Sequence, residues 1–170
     1  HTNVGGLTTA VFEIEDDDWM RFFEINVMSG IRFSRFYTPK MVANKWGRVI
    51  FVSSESGLMI PPEMIHYGFS KSAQLSISRG LAMSLSGTGV TVNALLPGPT
   101  RTDTTEKQRK ERAQDWGISL ETLEREFFDK FRPTSIIQRF AEAEELAPMA
   151  VYLCSPLSAL TTGATLRVRS

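Results

Sequence analysis

Apolar positions along this chain change period several times. After Asp16-Asp17-Asp18 come Trp19, Phe22, Phe23, Val27 and Ile31, spaced three and four apart as on one helix face. The aspartates offer a cap and an acidic first turn; the pattern runs to about Asn44, with a bend expected near Pro39 and a stop at Gly47. Residues 48–53 form a short, nearly continuous apolar run, which predicts a strand buried on both faces, as parallel strands are. A loop with Gly57, Pro61 and Pro62 leads to a predicted helix over 64–86, ended by Gly87 and Gly89. The next strand is read at 90–96, closed by Pro97-Gly98. Residues 102–135 turn charged and helical, with 121–130 the strongest helix and Phe127, Phe128 and Phe131 as a stripe able to close over a pocket. A helix over 142–153 and a strand over 164–168 complete the order. Strands alternating with helices imply right-handed crossovers and a parallel sheet, hence an α/β fold.

Composition narrows the function classes. The 170 residues suit one domain, and 19 basic against 19 acidic residues give no electrostatic case for nucleic acid or a membrane surface. No apolar run reaches the length of a membrane span and no signal peptide opens the chain. One cysteine excludes an internal disulfide, and two histidines leave no credible zinc set. A reduced, cytoplasmic protein without metal is the expectation.

One spacing carries chemistry. Tyr67 and Lys71 lie four apart in His66-Tyr67-Gly68-Phe69-Ser70-Lys71, thirteen residues after Ser54. Positions i and i+4 share a helix face. An ammonium near a phenol favours phenolate, so Lys71 is expected to lower the Tyr67 pKa and make it an acid or base near neutrality. The Ser54 hydroxyl, at a strand end, is placed to polarise a substrate carbonyl. The plainer alternatives are a surface Tyr–Lys pair, a loop-capping Ser54, and a satisfied buried amide at Asn26.

As a set, these residues resemble the short-chain dehydrogenase/reductase family. Ser54, Tyr67 and Lys71 match its catalytic serine and Tyr-x-x-x-Lys, and Asn26 in Glu24-Ile25-Asn26-Val27 matches its fourth catalytic residue. Pro97-Gly98-Pro99-Thr100-Arg101-Thr102 is similar to the family's Pro-Gly turn, and Asn3-Val4-Gly5 to the end of its Asn-Asn-Ala-Gly motif. The resemblance, nearest to the 3-oxoacyl-carrier-protein reductases, implies the C-terminal part of a Rossmann-type doubly wound sheet. It implies one partial domain over 1–170, with 102–135 as a substrate lid. It also implies NAD or NADP, held by Asn3, Gly5, Tyr67, Lys71, Pro97, Gly98, Thr100 and Thr102, with Thr102 as a nicotinamide contact and Thr100 contributing backbone. Tyr67 would exchange a proton with a small carbonyl or alcohol substrate, Lys71 would hold the ribose, and Asn26 would position a water in a relay through Lys71. A homodimer or homotetramer is implied through the helices at 17–44 and 64–86, where Ser70, Ser72, Ala73, Ser76 and Gly80 offer a small-sided packing face.

Departures from the pattern set the alternative. No glycine-rich pyrophosphate loop opens the chain, Thr2 stands for an asparagine, and Arg167-Val168-Arg169-Ser170 replaces a Gly-Gly tail. The alternative is a non-catalytic fragment or pseudoenzyme that keeps the oligomer surface and has lost dinucleotide binding. Strand 48–53 would then lie at an exposed edge, making the isolated chain poorly soluble without the missing segment. Four further features are read outside the mechanism: His66 as lining or rim of the substrate pocket, Glu55 as a loop carboxylate or, beside Ser54, a contact to a polar substrate group, Cys154 as a small buried hydrophobe, and the basic run 107–112 as a solvated face of the lid.

Overall fold

The computed structural model describes residues 11–168, so Asn3 and Gly5 lie outside the described residues. The first long helix is one continuous run in three parts: α1 (Asp16–Phe22), a π-helical stretch (Phe23–Met28) and α2 (Ser29–Ala43). Pro39 sits inside α2, and the departure from α geometry falls at the π-helical stretch. The chain leaves the helix through Lys45 at φ 52 and enters β1 (Gly47–Val52). A 3-10 turn (Glu55–Gly57) and a second one (Pro62–Met64) lead into α3 (Ile65–Ser84). Then follow β2 (Val90–Pro97), α4 (Asp103–Trp116), α5 (Leu120–Phe131), α6 (Ala143–Cys154) and β3 (Thr165–Val168).

The three strands form one parallel sheet in the order β1-β2-β3, with Val52 opposite Leu95 and Pro97 opposite Val168. Phe51, Ala82 and Val92 form its core, with Val49, Ile77, Leu81 and Leu85 packed against them. The strand buried along its length is β2; β1 is only partly buried, because among the described residues it pairs along one edge alone. That corrects the expectation of a strand covered on both faces. The turn into β2 requires Gly89: its φ is +80°, and a Cβ there would lie 2.2 Å from the Lys45 carbonyl oxygen.

The lid segment holds two helices where the apolar stripe pointed to one. Thr102 caps α4, accepting the Thr105 N–H at 3.2 Å, and Ser119 caps α5, accepting the Thr122 N–H at 3.1 Å. A low-hydrophobicity helix such as α4 leaves no apolar periodicity to read, only its caps. Within it Arg109 is not a solvated charge: it donates to Glu124 at 2.6 Å and lies 4.6 Å over the Phe140 ring. Cys154 is exposed, because it ends α6 on the side away from the buried Leu153. Among the described residues no helix is long and apolar enough to cross a membrane, and no acidic, His or Cys group could hold a metal.

Candidate active site

Parallel pairing brings two loops together. Ser53 follows β1 and donates its N–H to Leu95 of β2 at 2.9 Å, so Ser54 and Pro97-Gly98 both emerge at the carboxyl ends of neighbouring strands. Crevices at that end of a parallel sheet are where α/β folds bind ligands.

The Ser54 loop is pinned to the start of α3. Ser53 Oγ donates to the Lys71 carbonyl at 2.9 Å and Ser72 Oγ to the Gly57 carbonyl at 2.7 Å. A Cβ at Gly57 would lie 3.0 Å from the Lys71 carbonyl carbon and oxygen, a tight contact that glycine avoids. Ser54 Oγ accepts the Ser56 N–H at 3.1 Å, and the Ser54 side chain acts on the Tyr67 phenol against the effect of burial. Tyr67 and Lys71 share the buried face of α3, with Lys71 Nζ 5.6 Å from the Tyr67 ring centroid.

The electrostatics differ from the sequence expectation. Burial raises the Tyr67 pKa, and the opposing influence is the Ser54 hydrogen bond; Lys71 is not what lowers it. Burial also weakens the ammonium itself, bringing Lys71 down to about 8. Lys71 is 2% exposed and donates to the Val52 carbonyl at 3.2 Å. An ammonium carries three donors. Donors beyond the one given to Val52 suit the hydroxyls of a ribose, and the residues present fit a nicotinamide dinucleotide.

Asn26 lies in the π-helical stretch, a helix irregularity often found at functional sites. Its Nδ2 donates to Ser70 Oγ at 2.9 Å, and its carbonyl accepts Gln74 Nε2 at 2.6 Å. Ser70 is fully buried and donates in turn to the Tyr67 carbonyl at 2.7 Å. Ser70 is thus no part of an outer packing face, as the small-residue pattern implied, because it is spent on joining the two helices. The sequence reading missed this role for Ser70 and Gln74; their placement at i+3 and i+7 from Tyr67 was the signal available.

The Pro97 turn is tied to its neighbours. Gly98 donates its N–H to Val168 at 3.0 Å, and the Thr100 hydroxyl donates to the Gly98 carbonyl at 2.9 Å. Thr102 carries the cap of α4. His66 is 1% exposed, its ring 4.5 Å from Phe22 and 6.0 Å from Trp19, both edge-on. It is a packing ring between α1 and α3 and not a pocket rim, since its first-turn position faces α1. Glu55 is buried and paired with Arg132 at 2.7 Å, a partner that no sequence spacing disclosed.

Comparison with known proteins gives the family and the fold. The family described as Enoyl-(Acyl carrier protein) reductase matches residues 2–170. The chain is 46% identical over 156 residues to the uncharacterized oxidoreductase YvaG of Bacillus subtilis, covering 92% of this chain and 59% of that protein. It is 32% identical over 156 residues to the D-beta-hydroxybutyrate dehydrogenase of Rhizobium meliloti, covering 90% and 59%. The crystal structure of L-sorbose reductase from Gluconobacter frateurii, complexed with NADPH and L-sorbose, superposes with a TM-score of 0.89 at 28% identity, covering 98% and 62%. The chain belongs to the short-chain dehydrogenase/reductase family of oxidoreductases, with the Rossmann-type fold of that family. It spans about three fifths of the length of these relatives, 59% to 62%.

Proposed function

We propose that this chain is the catalytic part of an NAD- or NADP-dependent oxidoreductase that interconverts a carbonyl and a secondary alcohol. The observation that carries it is Tyr67 with the buried Lys71 on one face of α3, pinned through Ser53 and Ser72 to the Ser54 loop at the carboxyl ends of β1 and β2. A nicotinamide supplies the hydride when bound. Tyr67 gives its phenol proton to the carbonyl oxygen in reduction and takes it back in oxidation. Ser54, whose side chain acts on that phenol, donates to the same substrate oxygen and orients it. Lys71 holds ribose hydroxyls with donors beyond the one given to Val52, and its charge offsets phenolate when the proton departs. Asn26, fixed by Ser70 and Gln74, holds the π-helical turn beside α3 and positions a water that passes protons to Lys71. Pro97, Gly98, Thr100 and Thr102 line the nicotinamide side, and Asn3 and Gly5, outside the described residues, complete the cofactor-binding set.

The partners are a small carbonyl or alcohol substrate and further copies of the chain. Phe33 and Phe36 on α2 are 64% and 61% exposed, and Phe69 and Met83 on α3 are 44% and 67% exposed, an apolar surface that supports a homodimer or homotetramer.

The test uses the full-length protein, with its nucleotide-binding half, and follows nicotinamide fluorescence and turnover over a panel of small ketones and polyols. Tyr67→Phe is expected to lower turnover at least about a hundredfold while changing the dinucleotide Kd less than about twofold. Near-normal turnover in that variant removes the acid/base role from Tyr67. Absence of dinucleotide binding by the folded wild type would favour the non-catalytic reading.

A further inference from the structure

We propose that Glu55 and Arg132 form a clasp holding the α4–α5 lid on the catalytic loop, so that both are positioning residues for the reaction; the inference rests on the functional reading above. Glu55 directly follows Ser54, is 8% exposed, and accepts Arg132 Nε at 2.7 Å across 77 positions of sequence. Among the ion pairs of the described residues, it alone joins the lid to the segment between β1 and α3.

Both ends of the clasp are rigidly mounted. The Glu55 carbonyl accepts the N–H groups of Leu58 and Met59, each at 2.9 Å, closing the 3-10 turn whose cap is Ser54. The Glu55 backbone is therefore held in the same turn as Ser54. Arg132 donates its backbone N–H to Phe128 at 3.0 Å and Nη1 to the Phe131 carbonyl at 2.8 Å, fastening the guanidinium to the last turn of α5. A cation there also suits the negative end of the helix dipole. The guanidinium lies 5.8 Å from the Phe127 ring, which packs on Phe128, Phe131 and Phe140. Through Arg132, the aromatic stripe of α5 is tied to the turn that presents the substrate-polarising hydroxyl.

The chemistry makes the link decisive. The Glu55 side chain is 10% exposed and the Arg132 side chain 25%, so each would lose its hydration without its partner. Opening the lid means separating them, while the Ser54 loop stays pinned to α3 by Ser53 and Ser72. Lid closure and the turn that presents Ser54 are thereby linked by one ion pair outside the Ser-Tyr-Lys set.

The experiment compares full-length wild type with Glu55→Gln, Arg132→Gln, the double variant and Arg132→Lys. Hydrogen exchange over 120–131 reads the lid, and KM and kcat for a turned-over carbonyl read the chemistry. Each glutamine variant is expected to speed exchange of α5 amides about tenfold or more, leave α3 amides unchanged, and raise KM more than it lowers kcat. The double variant is expected to be no worse than the worse single variant, and Arg132→Lys to fall between wild type and Arg132→Gln. Unchanged α5 exchange in the glutamine variants, or losses that add in the double variant, overturns the clasp. A wild type without dinucleotide-dependent turnover would sink the functional reading, and the exchange data would still decide the clasp.

Discussion

The Asn26 side chain donates to Ser70 Oγ at 2.9 Å, joining two helices whose contacting residues lie 44 positions apart. Ser70 passes the link on to the Tyr67 carbonyl, so the π-helical turn and the tyrosine are held in one register. Removing the hydroxyl leaves a buried amide without its acceptor. Ser70→Ala is expected to lower stability by about 1–3 kcal/mol in urea denaturation and to reduce turnover with little change in dinucleotide affinity. An unchanged urea midpoint would mean that Asn26 finds another acceptor.

Ser54 supplies the hydrogen bond that opposes the effect of burial on Tyr67. Without that bond the phenol pKa rises further. The phenolate needed for alcohol oxidation then forms only at higher pH. The rising limb of the pH profile for oxidation in Ser54→Ala is expected to move to the alkaline side of wild type, together with a loss of rate. A profile that keeps its midpoint would break the Ser54–Tyr67 coupling.

Lys71 gives a pH dependence of opposite sense from a salt-bridged lysine. Burial lowers its folded pKa from 10.5 to about 8, so between those values the unfolded chain holds a proton that the folded chain has released. Stability from this group therefore rises with pH across that window, and below about pH 8 the buried charge weighs fully against folding. Lys71→Met is expected to be more stable than wild type at pH 7, with the gap narrowing by about 3 kcal/mol toward pH 10.5, measured by denaturant titration without dinucleotide. A gap independent of pH would place the ammonium in water.

Gly80 reports on the proposed subunit contact. Nothing lies within 4 Å of a Cβ built there, and the residue is exposed on α3 beside the small-residue positions Ser76 and Ala73. If a second copy packs closely on this face, Gly80→Ala loosens the assembly, and sedimentation is expected to show a larger dissociation constant. A face without a partner gives the reverse: a helix-interior alanine raises stability by about 0.5–1 kcal/mol and Tm rises.

The sequence carried the fold where periodicity was strong and the chemistry where spacing was local. Tyr67, Lys71 and Ser54 lie within 18 residues, inside one strand–loop–helix unit, so their meeting is legible from the amino-acid order alone. The β2 strand, apolar along its length, is readable to within one residue, whereas α4 has almost no apolar positions and declares itself only through the Thr102 cap. What escapes such a reading is set by long-range packing. His66 is hidden because Phe22 and Trp19 of α1 enclose it, Cys154 is exposed because of the direction α6 faces, and Arg132 finds Glu55 across the molecule. The sign of the Tyr67 shift escapes for a related reason. Spacing places a charge near a phenol, but it does not report how much water the fold removes from both.

Parallel pairing has a consequence for how the site assembles in time. Gly47 meets Val90 across 43 positions, with the whole of α3 lying between the two strands in sequence. Chains dominated by such distant pairings fold slowly, because loop closure precedes the contacts that reward it. The Ser54–Tyr67–Lys71 group, being local, can take shape with the nascent β1–α3 unit, while the Glu55–Arg132 link awaits chain 77 residues further on. During synthesis the Ser54–Tyr67–Lys71 group would thus stand for a time without the lid that Arg132 ties down.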